Sequence, residues 1–270
     1  IESDEVDIFA GVRHGYSLGS PIGLIVHNRD WANWSDIMSV EADAEAAEKR
    51  RVTRPRPGHA DLTGGLKYQF DDMRNILERS SARETTARVA IGALCKLLLR
   101  ELGIHVYSHV ISIKDIRIKP EQLERVSLDL LPQIESSEMR CSDPSLDSDM
   151  KQAVDRAIEN GETIGGTFEV RASGVPPGLG SHVHWDRKLD GKLAQAMMSI
   201  NALKGVEVGS GLESDPYGSE FHDEIFYSKE TREFFRKTNR AGGIEGGMSN
   251  GEEIIVRGLV KPIPTLRRPL

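Results

Sequence analysis

Between Arg54 and Gly65 the chain reads Arg-Pro-Arg-Pro-Gly-His-Ala-Asp-Leu-Thr-Gly-Gly, a stretch that restricts the backbone before any packing does. Proline fixes φ and glycine opens positive φ, so the whole segment is expected to lie outside regular helix and strand. It concentrates Arg54, Arg56, His59 and Asp61 within eight residues. A pre-shaped loop with guanidinium forks and an imidazole can hold an anion and move a proton beside it. One arginine or one histidine would signify only a basic turn. The combination, with a second arginine-rich segment at Arg79, points to a site.

Charge sharpens the contrast. The 270 residues carry a formal net charge of −7, which speaks against a general nucleic-acid surface. Basic loops on an acidic background suit a focused site for a small anion. With 38% hydrophobic and 29% charged residues, the chain has the make-up of an ordinary globular protein, as one large domain or two smaller ones. The two cysteines, Cys95 and Cys141, lack metal-ligand spacing. Cys95 falls in an apolar helical pattern and is expected in the core, and the pair suits a reducing, cytoplasmic setting. No apolar run is long enough to span a bilayer and no signal-peptide pattern is present, so no membrane partner is expected.

Periodicity places the elements. Residues 6–12 and 22–27 read as strands and 41–50 as a charged helix. The clearest helix covers 82–102, where Ala87, Ala90, Leu94, Leu97 and Leu98 form one stripe, with Ser81 and Glu84 as a capping box and Gly103 as a stop. A strand follows at 104–113. Residues 120–144 read as a polar connector. Helices are expected at 147–161 and 186–204, and strands at 163–173, 206–209, 223–227 and 253–260. Mixed strands and helices without a fixed repeat indicate an α+β architecture.

Further segments could carry chemistry. Arg79-Ser80-Ser81 would sit at the start of the long helix, where unpaired N–H groups bind phosphate. Asn201-Ala202 lies at a helix end. The run Gly242-Gly-Ile-Glu-Gly246-Gly-Met-Ser-Asn-Gly251 fits neither the dinucleotide fingerprint nor a P-loop and reads first as a glycine-rich hairpin. Lys261-Pro262-Ile263-Pro264-Thr265 repeats the logic of the first loop, a cation and a hydroxyl on a stiffened backbone. His182 and His184, with Asp186, His59 and Asp61, are the residues a metal-dependent phosphohydrolase would use, although their spacing is weak and no metal is expected. A non-catalytic oligomeric module, with the glycine loops serving subunit packing, is the third reading.

In order along the chain, these segments resemble the chorismate synthase family. The matching stretches include Gly11-Val-Arg-His14-Gly, Asn28-Arg-Asp-Trp31, Arg54-Pro-Arg-Pro-Gly-His-Ala-Asp61, Arg79-Ser-Ser-Ala-Arg-Glu-Thr85, Val183-His-Trp-Asp-Arg-Lys-Leu-Asp190, Gly242-Gly-Ile-Glu-Gly-Gly247 and Lys261-Pro-Ile-Pro-Thr265. The resemblance covers essentially the whole chain and is nearest the bacterial branch. It implies a β-α-β sandwich of two antiparallel sheets enclosing helices, residues 1–270 forming a single domain, and a homotetramer. It implies conversion of 5-enolpyruvylshikimate 3-phosphate to chorismate and phosphate by anti-1,4-elimination, with reduced FMN, no net redox change and NADPH as a candidate reductant.

Carried over residue by residue, the resemblance makes His59 a proton donor to the reduced flavin. It makes Arg79, Ser80, Ser81, Asn201, Ala202, Gly246, Lys261, Pro262, Ile263, Pro264 and Thr265 its binding positions. The substrate's phosphate and two carboxylates suggest Arg54 and Arg56 as anion clamps. His14, His105, His109 and His222 are left as structural. The family's opening Gly-Glu-Ser-His-Gly motif, a later flavin-contacting arginine and an aspartate near the C-terminus have no counterpart here, so the sequence is expected to be trimmed at both ends.

Overall fold

In the computed structural model, residues 4–41, 43–80, 84–211 and 216–267 are described. They gather into two compact units, Ile1–Cys95 and Lys96–Leu270. The first contains strands β1 (Val6–Ala10), β2 (Val12–Arg13), β3 (Tyr16–Ser17) and β4 (Gly23–Val26) and helices α1 (Ala44–Lys49), α2 (Asp61–Tyr68) and α3 (Arg74–Ser80); α4 (Thr85–Glu101) runs from it into the second. The second continues with β5 (His105–Ile113), β6 (Ile116–Arg117), α5 (Pro120–Leu123), α6 (Leu131–Ser136), α7 (Pro144–Glu159), β7 (Gly166–Ser173), α8 (Leu189–Met198) and β8 (Leu203–Val208). It ends in α9 (Gly218–Phe221), β9 (Ile225–Ser228), β10 (Glu233–Arg236), β11 (Ile244–Glu245), β12 (Met248–Ser249) and β13 (Ile254–Val260). This is the expected α+β class, with antiparallel sheets.

The second unit is built on a five-stranded sheet of order β6-β5-β7-β13-β8, antiparallel throughout. Alternation along each strand separates its faces. Val106, Phe168, Val170, Ala172 and Val256 share one face and pack with Leu189, Leu193 and Met197 of α8. The other face carries charge. Register sets His109 opposite Glu169, Glu169 opposite Arg257, and Arg257 opposite Glu207, one polar row across four strands.

Glu169 is the centre of that row and is fully buried. Its Oε1 accepts from His109 Nε2 at 3.0 Å and Arg171 Nε at 2.5 Å, and its Oε2 accepts from Arg257 Nε at 2.7 Å. Arg171 reaches on to Glu253 and to the carbonyls of Val126 and Leu123. Burial opposes the charge on Glu169, but His109 and the two guanidinium groups overcome it and bring its pKa down to about 2. His109 is thus structural, as expected.

Those two carbonyls overturn one expectation. Residues 120–144 are not a connector: Leu123, Val126, Ile134 and Cys141 are buried, and short helices turn them against β5. Their apolar residues are too widely spaced for a periodic pattern, because each helix has at most six residues. Two other expectations fail. Cys95 is exposed, and of the α4 stripe only Ala90 is buried, with Leu97 and Leu98 open.

In the first unit the proline-rich segment is irregular only as far as Ala60, and Asp61 opens α2. Gly64 and Gly65 remain inside that helix because α3 packs against them. A Cβ on Gly64 would lie 2.6 Å from Ile76 Cγ2, and one on Gly65 2.8 Å from Met73 Cε. The glycines act here as close-packing residues rather than helix breakers.

Removing the charge of Glu169 would strand buried guanidinium groups. Glu169→Gln is expected to lower stability by about 3 kcal/mol, read as a shift in the urea unfolding midpoint. An unchanged midpoint would show that the polar row is not what holds the sheet.

Candidate functional site

The segment before α2 is held at both ends. Val52 donates to Asp72 Oδ1 at 2.9 Å and accepts from Met73 N at 2.8 Å, tying the loop's entry to the start of α3. A turn at Gly58, φ +75°, brings His59 N to within 3.3 Å of Arg56 O. The loop therefore folds back on itself, and His59 meets Asp61 two residues later.

Asp61 is the centre of this cluster, with no exposed side-chain surface. Its Oδ2 accepts from the Arg56 backbone N–H at 3.0 Å and from Arg56 Nε at 2.9 Å. Its Oδ1 accepts from His59 Nδ1 in a short contact and from Arg56 Nη2 at 3.3 Å. Burial alone would raise the Asp61 pKa. The Arg56 side chain, the Arg56 backbone N–H and His59 outweigh it, bringing the group down to about 2. The imidazole of His59 is 14% exposed, so its edge reaches solvent while its other side is fixed. Arg54 is exposed on the same loop.

Arg56 therefore differs from the free anion clamp its sequence context suggests. Two of its side-chain nitrogens face inward to Asp61. The sequence presents Asp61 as a loop carboxylate or metal ligand, and the spacing His59-x-Asp61 is the local signal for the pairing.

The other candidates are placed as follows. Arg79 and Ser80 form the last turn of α3, not the start of the long helix, and the Ser80 hydroxyl donates to Ile76 O at 2.7 Å. Ser81 lies outside the described residues, and with it the capping box. Asn201 and Ala202 close the turn after α8, with Ala202 at φ +71°. Ala202 O accepts from Lys261 N at 3.0 Å, and Ile263 O accepts from the Thr163 hydroxyl at 2.8 Å. This turn and the Lys261–Thr265 strap are thus one local structure.

Gly246 belongs to the turn of the β11–β12 hairpin, φ +59°, so the glycine-rich run is the hairpin it was read as. Gly247 O accepts from Leu189 N at the start of α8, whereas Asn201 follows the helix's end. The length of α8 sets these two parts about 15 Å apart.

The second unit also has a cavity of about 530 Å³ lined by Arg125, Arg171, Arg236, Arg240 and Arg257 among others. It includes none of the candidate residues. Three of these arginines are committed: Arg171 and Arg257 to Glu169, and Arg236 to Glu245 in a bidentate pair. Among the described residues, no three His, Cys, Asp or Glu side chains are gathered as a metal ion requires, and His182 and His184 are exposed. No described helix is long and apolar enough to cross a membrane.

Known proteins identify the arrangement. The chorismate synthase family model matches residues 1–270. A chorismate synthase of Sulfurihydrogenibium sp. (strain YO3AOP1) is 58% identical over 270 residues, 99% of this chain and 68% of that protein. One of Geobacillus sp. (strain WCH70) is 59% identical over 273 residues, 100% of this chain and 70% of that protein. A crystal structure of a chorismate synthase superposes with a TM-score of 0.81 at 45% identity, covering 97% of this chain and 72% of the other. These relatives define a lyase that cleaves a carbon–oxygen bond to phosphate. The chain belongs to the chorismate synthase family.

Its reaction is the anti-1,4-elimination of phosphate from 5-enolpyruvylshikimate 3-phosphate, giving chorismate on the shikimate route to aromatic amino acids, with reduced FMN and no net redox change. The donor set of the second unit fits that cofactor in kind. Lys261 and the Thr265 hydroxyl suit a phosphate, and the Asn201 carboxamide suits the polar edge of a flavin ring.

The depressed pKa of Asp61 has a consequence for stability. A carboxyl whose folded pKa lies below its unfolded value of 3.8 contributes stability that is fully present above that value and lost as pH falls toward 2. The contribution is about 2 kcal/mol. Unfolding free energy measured from pH 5 to pH 2 is expected to fall by that amount more in the native protein than in Asp61→Asn; parallel curves would show that Asp61 is not held ionised.

Proposed function

We propose that His59 is the proton donor to the reduced flavin in this reaction, and that the observation carrying this reading is its fixed imidazole, held at Nδ1 by a buried carboxylate and still partly exposed. The elimination removes a proton and a phosphate from opposite faces across a ring double bond. Reduced FMN, when bound, supplies electron density to the breaking carbon–oxygen bond and recovers it. His59 would hold a proton for the reduced flavin and take it back as the cycle closes, and Arg54, with the remaining donors of Arg56, would bind the substrate's anionic groups.

Arg79, Ser80, Ser81, Asn201, Ala202, Gly246, Lys261, Pro262, Ile263, Pro264 and Thr265 hold the flavin. Pro262 and Pro264 stiffen the strap, so Lys261 and Thr265 lose little freedom on binding. Residues 1–270 act as one catalytic domain, with NADPH as a reductant for the flavin.

The active form is a homotetramer in the cytoplasm, without a nucleic-acid partner. Apolar side chains left open on single elements support the assembly: Ile8 and Phe9 of β1, Val89, Ile91 and Leu98 of α4, and Phe234 of β10. The free cysteines support the compartment and the net charge of −7 supports the absence of nucleic acid. A metal-dependent hydrolase finds no gathered ligand set among the described residues, and Asp61 is already spent on Arg56 and His59.

His59→Ala in the full-length enzyme is expected to lower kcat for phosphate release by about 100-fold while leaving FMN affinity within about twofold. Full activity in that variant would remove His59 from the mechanism. Lys261→Ala is expected to weaken FMN binding about tenfold in a fluorescence titration, with the fold unchanged by circular dichroism. Unaltered affinity would place the phosphate elsewhere.

A further inference from the structure

We propose that Asp61 is the positioning residue for His59, fixing the imidazole with Nδ1 inward so that Nε2 is the nitrogen through which the proton is exchanged. This rests on the reading of His59 as proton donor. An ionised carboxylate has only acceptor sites, so the nitrogen that meets Asp61 Oδ1 must carry hydrogen. Nδ1 then stays protonated in both the neutral and the cationic ring, and gain or loss of a proton falls to Nε2.

Two features keep Asp61 in that role. Its carboxyl is buried and takes the Arg56 backbone N–H and Nε on Oδ2, so it cannot swing away from His59 without abandoning both. Its charge persists at any working pH, since protonation requires a pH near 2.

Arg56 meets the same ring. Its Nη2 lies 3.2 Å from Nδ1 and 3.5 Å from Nε2, so a positive charge also sits against the ring, farther off than the negative one. Arg56 and Asp61 are the charged groups that meet the ring among the described residues.

The test combines a spectrum with a rate, on the full-length protein. Nitrogen-15 histidine spectra of the native protein should show His59 Nδ1 protonated throughout its titration, with Nε2 the nitrogen that responds to pH. In Asp61→Asn the preference for Nδ1 should relax, because the acceptor-only carboxylate is gone. That variant should lose about 10- to 100-fold in kcat with FMN affinity within about twofold, and added to His59→Ala it should cost nothing more.

A native His59 protonated at Nε2 in its neutral form would overturn the proposal. So would an Asp61→Asn loss of the same size in the His59→Ala background. If Asp61→Asn does not fold, the native spectrum decides. Full activity in His59→Ala beside the expected spectrum would instead sink the proton-donor reading, and the positioning role with it.

Discussion

A carboxylate taken out of water must be met by donors, and this chain meets that constraint twice. In the first unit Asp61 collects Arg56 and His59 from five and two residues upstream. In the second, Glu169 collects His109 and Arg257 from strands 60 and 88 residues away and Arg171 from its own strand. One cluster folds a loop into a site, and the other locks strands into register. Shifting β13 by one residue against β7 would turn Arg257 to the apolar face and leave Glu169 short of a partner. The sheet tolerates so much buried charge because each group is held by an opposite one.

What the sequence made legible follows the range of the interactions. Long periodic segments such as α4, α7 and β7 were placed within a few residues, because hydrophobic spacing is a local signal. Residues 120–144 were misread because their burial depends on what they meet. Leu123 and Val126 offer carbonyls to Arg171, 48 and 45 residues away. Cys95 and the α4 stripe failed in the opposite sense, since a regular apolar face shows that a helix forms without showing what covers it. Gly64 and Gly65 read as breakers, and only Met73 and Ile76 reveal why the helix requires them.

Arg54, Arg56 and His59 stood out as basic groups on a constrained backbone; the resemblance gave His59 its expected role, and the substrate's charge suggested the two arginines. The direction each side chain takes was not legible. The same two arginines could both have faced an anion, yet Arg56 turns to Asp61 while Arg54 is exposed. Arg79 and Ser80 were placed at a helix start because α3, only seven residues long, is too short to show a periodic pattern of its own. Lys261 and Asn201 are 60 positions apart in sequence, and only the Ala202–Lys261 hydrogen bond makes them neighbours.

The division among arginines bears on how an acidic protein binds a trianionic substrate. A guanidinium committed to a carboxylate contributes geometry, and only an uncommitted one offers the bidentate fork that phosphate and carboxylate prefer. Arg171, Arg236 and Arg257 belong to the first kind. Arg56 is divided: Nε and Nη2 each give a hydrogen to Asp61, which leaves the hydrogens of Nη1 and the second one of Nη2 for another partner. An anion that drew the whole guanidinium toward itself would release Asp61, and releasing Asp61 would free His59. Arg54, exposed two positions earlier, can meet an anion without that consequence. Holding His59 in place therefore limits how far Arg56 can turn to a substrate, and that limit does not bear on Arg54.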